Sequence, residues 1–215
     1  MGVNKPPAPD TRAVLLEHGA RIAMRSGLRA LTVRGLCHEA GVNPGSFVYH
    51  FGSRDKFLGE LIELGYAPLF EQIQSEFDHA GTPIARLRRM LLQLAHFLSS
   101  RGGLIAHFLV DGFAGEPVVV AFLRSLGMRH PQLLLRCIVQ AQAAGEIAPG
   151  EPTHVLMFLM SSVGFPVVVQ GLIWDKAVLP DLIQDALSRF AADPQYIEQR
   201  LEWALQGLRP MEPKP

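Results

Sequence analysis

The sequence predicts an all-α protein: an N-terminal three-helix domain built on a helix-turn-helix, then a helical bundle, about nine or ten helices in all. Three observations lead there. Prolines and glycines cut the chain into stretches of helical length, and apolar residues inside them recur at three- and four-residue spacing. No stretch alternates polar and apolar as a half-buried strand would. Residues 32–51 carry the start and stop signals of two short helices joined by a tight turn.

Residues 1–10, with Pro6, Pro7 and Pro9 and no apolar run, read as a loose arm. From Thr11 to Ser26, Leu15, Leu16, Ile22 and Ala23 share one helix face with Gly19. Thr32 is a good N-cap, and Val33, Leu36, Cys37 and Ala40 follow at i, i+3, i+4 and i+7. Gly41 stops that helix, because a left-handed terminal position favours glycine. Val42 drops back into the core, Asn43 caps the next helix, and Pro44 stands at its first position, where a missing N–H costs nothing. This second helix, Pro44 to His50, turns Phe47 and Phe51 inward. Ser53 then caps a helix that runs through Leu58, Leu61, Ile62 and Leu64 toward Phe77, with Pro68 bending it midway.

The body repeats the pattern. Pro83 opens a helix to Ser100, closed by Gly102 and Gly103, and a shorter one spans Leu104 to Phe113. Pro117 starts a segment to Ala144, interrupted near Gly127 to Pro131. Helices from Pro152 to Trp174, Pro180 to Ala192 and Pro194 to Gly207 complete it. The expected limits are an arm 1–10, a helix-turn-helix domain 11–56, a body 57–209 and a tail 210–215.

Composition is that of a globular protein: 48% hydrophobic, 19% charged and no net charge. The charge is uneven. Residues 1–60 hold eight Lys/Arg against five Asp/Glu, a net +3, so the remainder is −3. Cys37 and Cys137 suggest neither a disulfide framework nor a zinc site, and a reducing cytoplasm is expected. The uncharged run 155–174 is long enough to span a bilayer. It contains Ser161, Ser162, Gly164, Pro166 and Gln170, and its flanks (His154, Asp175, Lys176) carry no cationic bias, so a buried helix is expected and a membrane is not.

The outer side of the second short helix is what a DNA groove can accept. Gly45 and Ser46 allow close backbone approach, and Tyr49 offers a ring for a thymine methyl and a hydroxyl for a phosphate. Asn43, Pro44 and His50 border this surface. Arg34 can grip guanine bidentately, and Arg54 beside the Ser53 cap is expected to bind phosphate.

Residues Thr11 to about Leu61 resemble the DNA-binding domain of TetR-family transcriptional regulators. The pattern is Arg12, Leu15, Leu16, Gly19, Ile22, Ala23, Gly27, Leu28, Thr32, Val33, Leu36, Ala40, Gly41, Val42, Gly45, Phe47, His50, Phe51 and Ser53. One departure is Val48, where the family usually has tyrosine. The resemblance implies a ligand-responsive repressor that binds double-stranded palindromic operator DNA as a homodimer and is released by a small, largely apolar effector, with no cofactor and no metal. It also implies that the last two long helices pair with a second subunit. Val155, Phe158, Leu159 and Ser162 from one, with Tyr196, Leu201 and Leu205 from the other, occupy those places. Effector-lining candidates are His96, Phe97, His107, Phe108, Asp111, Phe122, Met157, Phe158 and Phe165, with Phe113, Met128, Met160 and Trp174 in the wider set. His107 and Asp111 stand at i, i+4, a spacing open to a metal, a polar ligand group or simple capping. The alternative function is a helical small-molecule binder or enzyme with a vestigial head, for which no nucleophile-base set, phosphate loop or metal motif appears.

Overall fold

The computed structural model describes residues 10–173 and 179–210; residues 1–9 of the expected arm, 211–215 of the expected tail, and Trp174 at the end of the uncharged run with its flanking Asp175 and Lys176 lie outside them. Eleven α-helices and one 3-10 turn make up the described chain. They are α1 (Thr11–Ser26), α2 (Val33–Ala40), α3 (Pro44–Phe51), α4 (Arg54–Asp78), α5 (Pro83–Ser99), α6 (Gly102–Phe113), α7 (Pro117–Ser125), α8 (His130–Ala143), α9 (Pro152–Ile173), α10 (Asp181–Ala192) and α11 (Pro194–Gly207).

Local signals set most ends. Thr32, Asn43, Ser53 and Thr82 each cap a helix through a side-chain oxygen that accepts a backbone N–H. Asp10, placed in the arm by sequence, instead caps α1 by accepting from the Arg12 N–H at 3.0 Å. Gly41 closes α2 at φ 64°, as its place in the turn requires. Two boundaries differ from expectation. Gly102 and Gly103 open α6 rather than closing α5, and the start of α6 crosses α9 so closely that a Cβ on Gly171 would collide with the Gly102 carbonyl oxygen. The interruption near Gly127 is complete, so Pro117–Ala144 forms two helices joined by the turn Leu126–Met128.

Two apolar cores follow. The first joins α1, α2, α3 and the beginning of α4 around Leu15, Leu36, Phe47 and Phe57, and it also takes in Val119 of α7. The second joins the rest of α4 with α5, α8, α9 and α11 around Ile73, Leu91, Ile138, Leu159 and Leu201. Helix α4 contributes to both and continues unbroken through Pro68. Among the described residues, α9 is the one helix long and apolar enough to cross a membrane. One side of it (Val155, Leu156, Leu159, Val163, Val167) lies buried in the body.

Candidate nucleic-acid interface

Helix α3 is held from one side only. The Phe47 and Phe51 rings lie 5.4 Å apart and meet Phe57 of α4 at 5.4 and 4.8 Å. Interlocked rings of this kind fix the roll of the helix. The opposite face is therefore bare: Tyr49 is 86% exposed and Val48 58%, with Pro44 and Gly45 exposed and Ser46 and His50 half-buried. The Tyr49 and His50 rings meet edge-on at 5.1 Å. Arg34 is exposed on the first turn of α2 and joins no ion pair among the described residues. The Asn43 side-chain oxygen accepts from the Gly45 N–H at 2.7 Å, so that oxygen is committed to the expected cap, and Asn43 borders the outer face without offering it to a base.

Arg54 departs from expectation. Its guanidinium turns away from the outer face: Nε donates to the Leu31 carbonyl at 2.7 Å, Nη2 to the Leu28 carbonyl at 2.9 Å, and the two Nη atoms reach the Glu116 carboxylate at 3.1 and 3.2 Å. With its donors filled by the protein, Arg54 is no phosphate ligand here. Lys56 remains exposed in the first turn of α4.

The effector-lining candidates do not converge. His96 and Phe97 border a surface cleft of about 310 Å³ between α4 and α5, with Pro68, Gln72 and Gln93. Phe108 and Phe122 stack edge-on at 5.6 Å in the packed zone under the head. His107 is half-buried on α6. Asp111 is buried, but its carboxylate accepts from the Leu28 N–H at 2.7 Å and the Arg29 N–H at 3.2 Å, so it serves the head and no ligand. Met157, Phe158 and Phe165 point out of the protomer along α9, and Phe113 and Met128 are likewise exposed. A helix packed on one side only cannot enclose a ligand with its other side.

The dimer candidates divide by the same criterion. Val155, Leu159, Leu201 and Leu205 are buried within the protomer core, so they cannot form a surface for a second subunit. Other sides of the same two helices are bare instead: Phe158 and Phe165 on α9, Tyr196 and Trp203 on α11, with Ser162 half-buried on α9.

Residues 15–61 match the model of the bacterial regulatory proteins, tetR family. Residues 15–61 thus form a DNA-binding domain of the tetR-family type. Its relatives include the HTH-type transcriptional repressor DhaR of Mycobacterium sp. (strain GP1), 27% identical over 63% of this chain and 69% of that one. The HTH-type transcriptional repressor KstR2 of Mycobacterium tuberculosis is 33% identical over 38% of this chain and 40% of its own length. Among solved structures, that of the ketosteroid transcriptional regulator KstR2 of M. tuberculosis superposes with a TM-score of 0.69 at 21% identity, covering 95% of this chain and 97% of that one. The TetR family regulator PfmR of Thermus thermophilus gives 0.66 at 18% identity, covering 96% and 100%. The regulator is thus a DNA-binding transcription factor, and the enzyme alternative is not favoured.

Sequence reasoning missed the polar groups of the regulator's interior. Tyr66 on α4 and His130 on α8 share a hydrogen bond of 2.8 Å, and burial holds the His130 pKa down to about 4. Beside them Arg129 grips Glu63 at 2.7 and 2.9 Å and lies over the Tyr66 and Phe122 rings. Arg200 is buried beneath Phe190 and donates to the Ser162 carbonyl at 3.1 Å. One signal was present in the sequence. Residues 102–123 contain two acidic side chains, Asp111 and Glu116, in an otherwise uncharged apolar stretch, and isolated carboxylates in such a setting need partners.

Proposed function

We propose that this regulator represses transcription by binding a palindromic operator as a homodimer and leaves it when a small, largely apolar effector occupies the body. The observation that carries the reading is the bare outer face of α3, where Pro44, Gly45, Ser46, Tyr49 and His50 stand beside Arg34 while Phe47 and Phe51 lock the helix from behind. A short helix presented this way reads only a few base pairs, and a two-fold pair doubles the contact at a fixed half-site spacing. Val48 joins the contact surface as an apolar group fit for a thymine methyl, and Tyr49 takes the hydroxyl role.

The second subunit covers Phe158 and Phe165, two turns apart on α9, and Tyr196 and Trp203, two turns apart on the adjoining α11, since bare aromatic residues mark an interface. The effector enters by the α4–α5 cleft at His96 and Phe97, against Pro68, where α4 lacks a backbone donor and yields most readily. The test is selection of bound duplexes from random DNA, then titration of the selected duplex with and without candidate apolar effectors. Recovery of an inverted repeat, bound by two protomers, supports the reading. Recovery of no preferred sequence overturns it.

A further inference from the structure

The loop between α1 and α2 is held through its backbone N–H groups and carbonyls by two side chains, Asp111 and Arg54, the second of them backed by Glu116. Asp111, near the end of α6, accepts the Leu28 and Arg29 N–H groups. Arg54 donates to the Leu28 and Leu31 carbonyls and, through its other edge, pairs with Glu116. Both acids are 6% exposed, so these are shielded contacts and not a screened surface pair. They also move as one piece, because the Glu116 N–H donates to the Asp111 carbonyl at 2.9 Å and closes the α6–α7 corner. The loop is shaped to receive the corner. Gly27 sits at φ 80°, and a Cβ there would stand 2.8 Å from the Asp111 carboxylate, so a side chain is refused on two counts. Behind the corner, α6 is seated on α9 by the Gly102–Gly171 crossing, and Val119 of α7 is fully buried in the head's own core.

We infer that Asp111 and Glu116 are positioning residues for DNA binding: the α6–α7 corner fixes the angle of the reading head on the body, and so selects the half-site spacing that a dimer accepts. Helix α4, packed into the head by Phe57 and Leu58, would alone leave the head joined to the body through a single helix. The corner removes that freedom and ties the head to α6, and through α6 to α9, whose bare face meets the second subunit. A shift of α6 along α9 then reorients the head without any change in its own core. This rests on the dimeric DNA-binding reading above.

The test uses the full-length protein and a duplex carrying two inverted half-sites that the wild type selects from random DNA, with versions two base pairs longer and shorter between the half-sites. Two base pairs rotate one half-site by about 70° around the duplex. Wild type should prefer its selected spacing by about tenfold or more, within the range typical of coupling between sites. Asp111→Ala should flatten that preference to about threefold or less while leaving affinity for an isolated half-site unchanged. Asp111→Asn, which keeps an acceptor oxygen for the two N–H groups, should restore most of the preference. Glu116→Gln serves if Asp111→Ala proves unstable in thermal melts, and should flatten the preference by weakening the hold on Arg54. An equal loss of affinity at every spacing, or no change at any, overturns the inference while leaving operator binding intact. A wild type that selects no inverted repeat overturns both.

Discussion

Replacing Arg54 with methionine separates a structural role from a DNA contact. The substitution keeps length and apolar volume but leaves the Glu116 carboxylate buried without its cation, and the Leu28 and Leu31 carbonyls without their donor. Breaking a buried ion pair by removing one partner costs about 3–5 kcal/mol, because the remaining charge stays desolvated. The Arg54 side chain is 27% exposed, which lets water reach part of the vacated space, so the lower end, about 3 kcal/mol, is expected. Urea unfolding of wild type and variant at neutral pH measures it. Adding Glu116→Leu should return part of the loss, since no buried charge is then left unpaired. The salt dependence of DNA binding decides the rest. A phosphate contact would lower the slope of log affinity against log salt by about one when removed. The structure predicts an unchanged slope, with any fall in affinity explained by the freed head. Normal stability together with a reduced slope would refute the inward role of Arg54.

Three further outcomes follow from the same geometry. Tyr49→Ala should leave stability within about 0.5 kcal/mol, as exposed positions do, yet weaken operator binding in fluorescence anisotropy, while Arg34→Ala should cost about 1–3 kcal/mol of preference at one symmetric base-pair position. Phe165→Glu or Trp203→Glu, each placed on a bare aromatic stripe, should convert the dimer to a folded monomer in sedimentation velocity; a persistent dimer would move the interface elsewhere. The third concerns pH. His130 is neutral in the folded protein down to about pH 4, whereas the unfolded chain takes its proton near 6.5. Its contribution is therefore complete above pH 6.5 and is lost as pH falls toward 4, about 3 kcal/mol in all. His130→Gln should flatten that part of the stability profile in urea unfolding at pH 7 and pH 4.5, and an unaltered acid slope would count against a buried, neutral histidine.

Most of the head was legible because its signals are local. The Thr32, Asn43 and Ser53 caps, the Gly41 stop and the inward phenylalanines lie within a few residues of the turns and faces they determine. The roles of Arg54 and Asp111 were not legible, since their partners stand 62 and 83 residues away and no spacing rule connects them. A cation at a helix N-terminus reads as a phosphate site until an acid from another element claims it. The misassigned residues of α9 and α11 have another cause. Apolar helices with residues on all sides leave rotation undefined, so Leu159 and Leu201 were assigned to the dimer face and Phe165 to a pocket, while the bare Trp203 was passed over. The effector candidates failed for want of geometry, as aromatic and histidine content marks a body's composition and not the point where side chains meet.

The most direct measurement is anisotropy of the full-length protein on a duplex selected from random DNA, beside an unselected duplex, across a salt series. The account predicts saturation at two protomers per selected duplex, a clear preference over the unselected one, and affinity that falls linearly in log salt with a slope reporting several phosphate contacts. Equal affinity for both duplexes, or binding indifferent to salt, would contradict the claim that the outer face of α3 reads DNA.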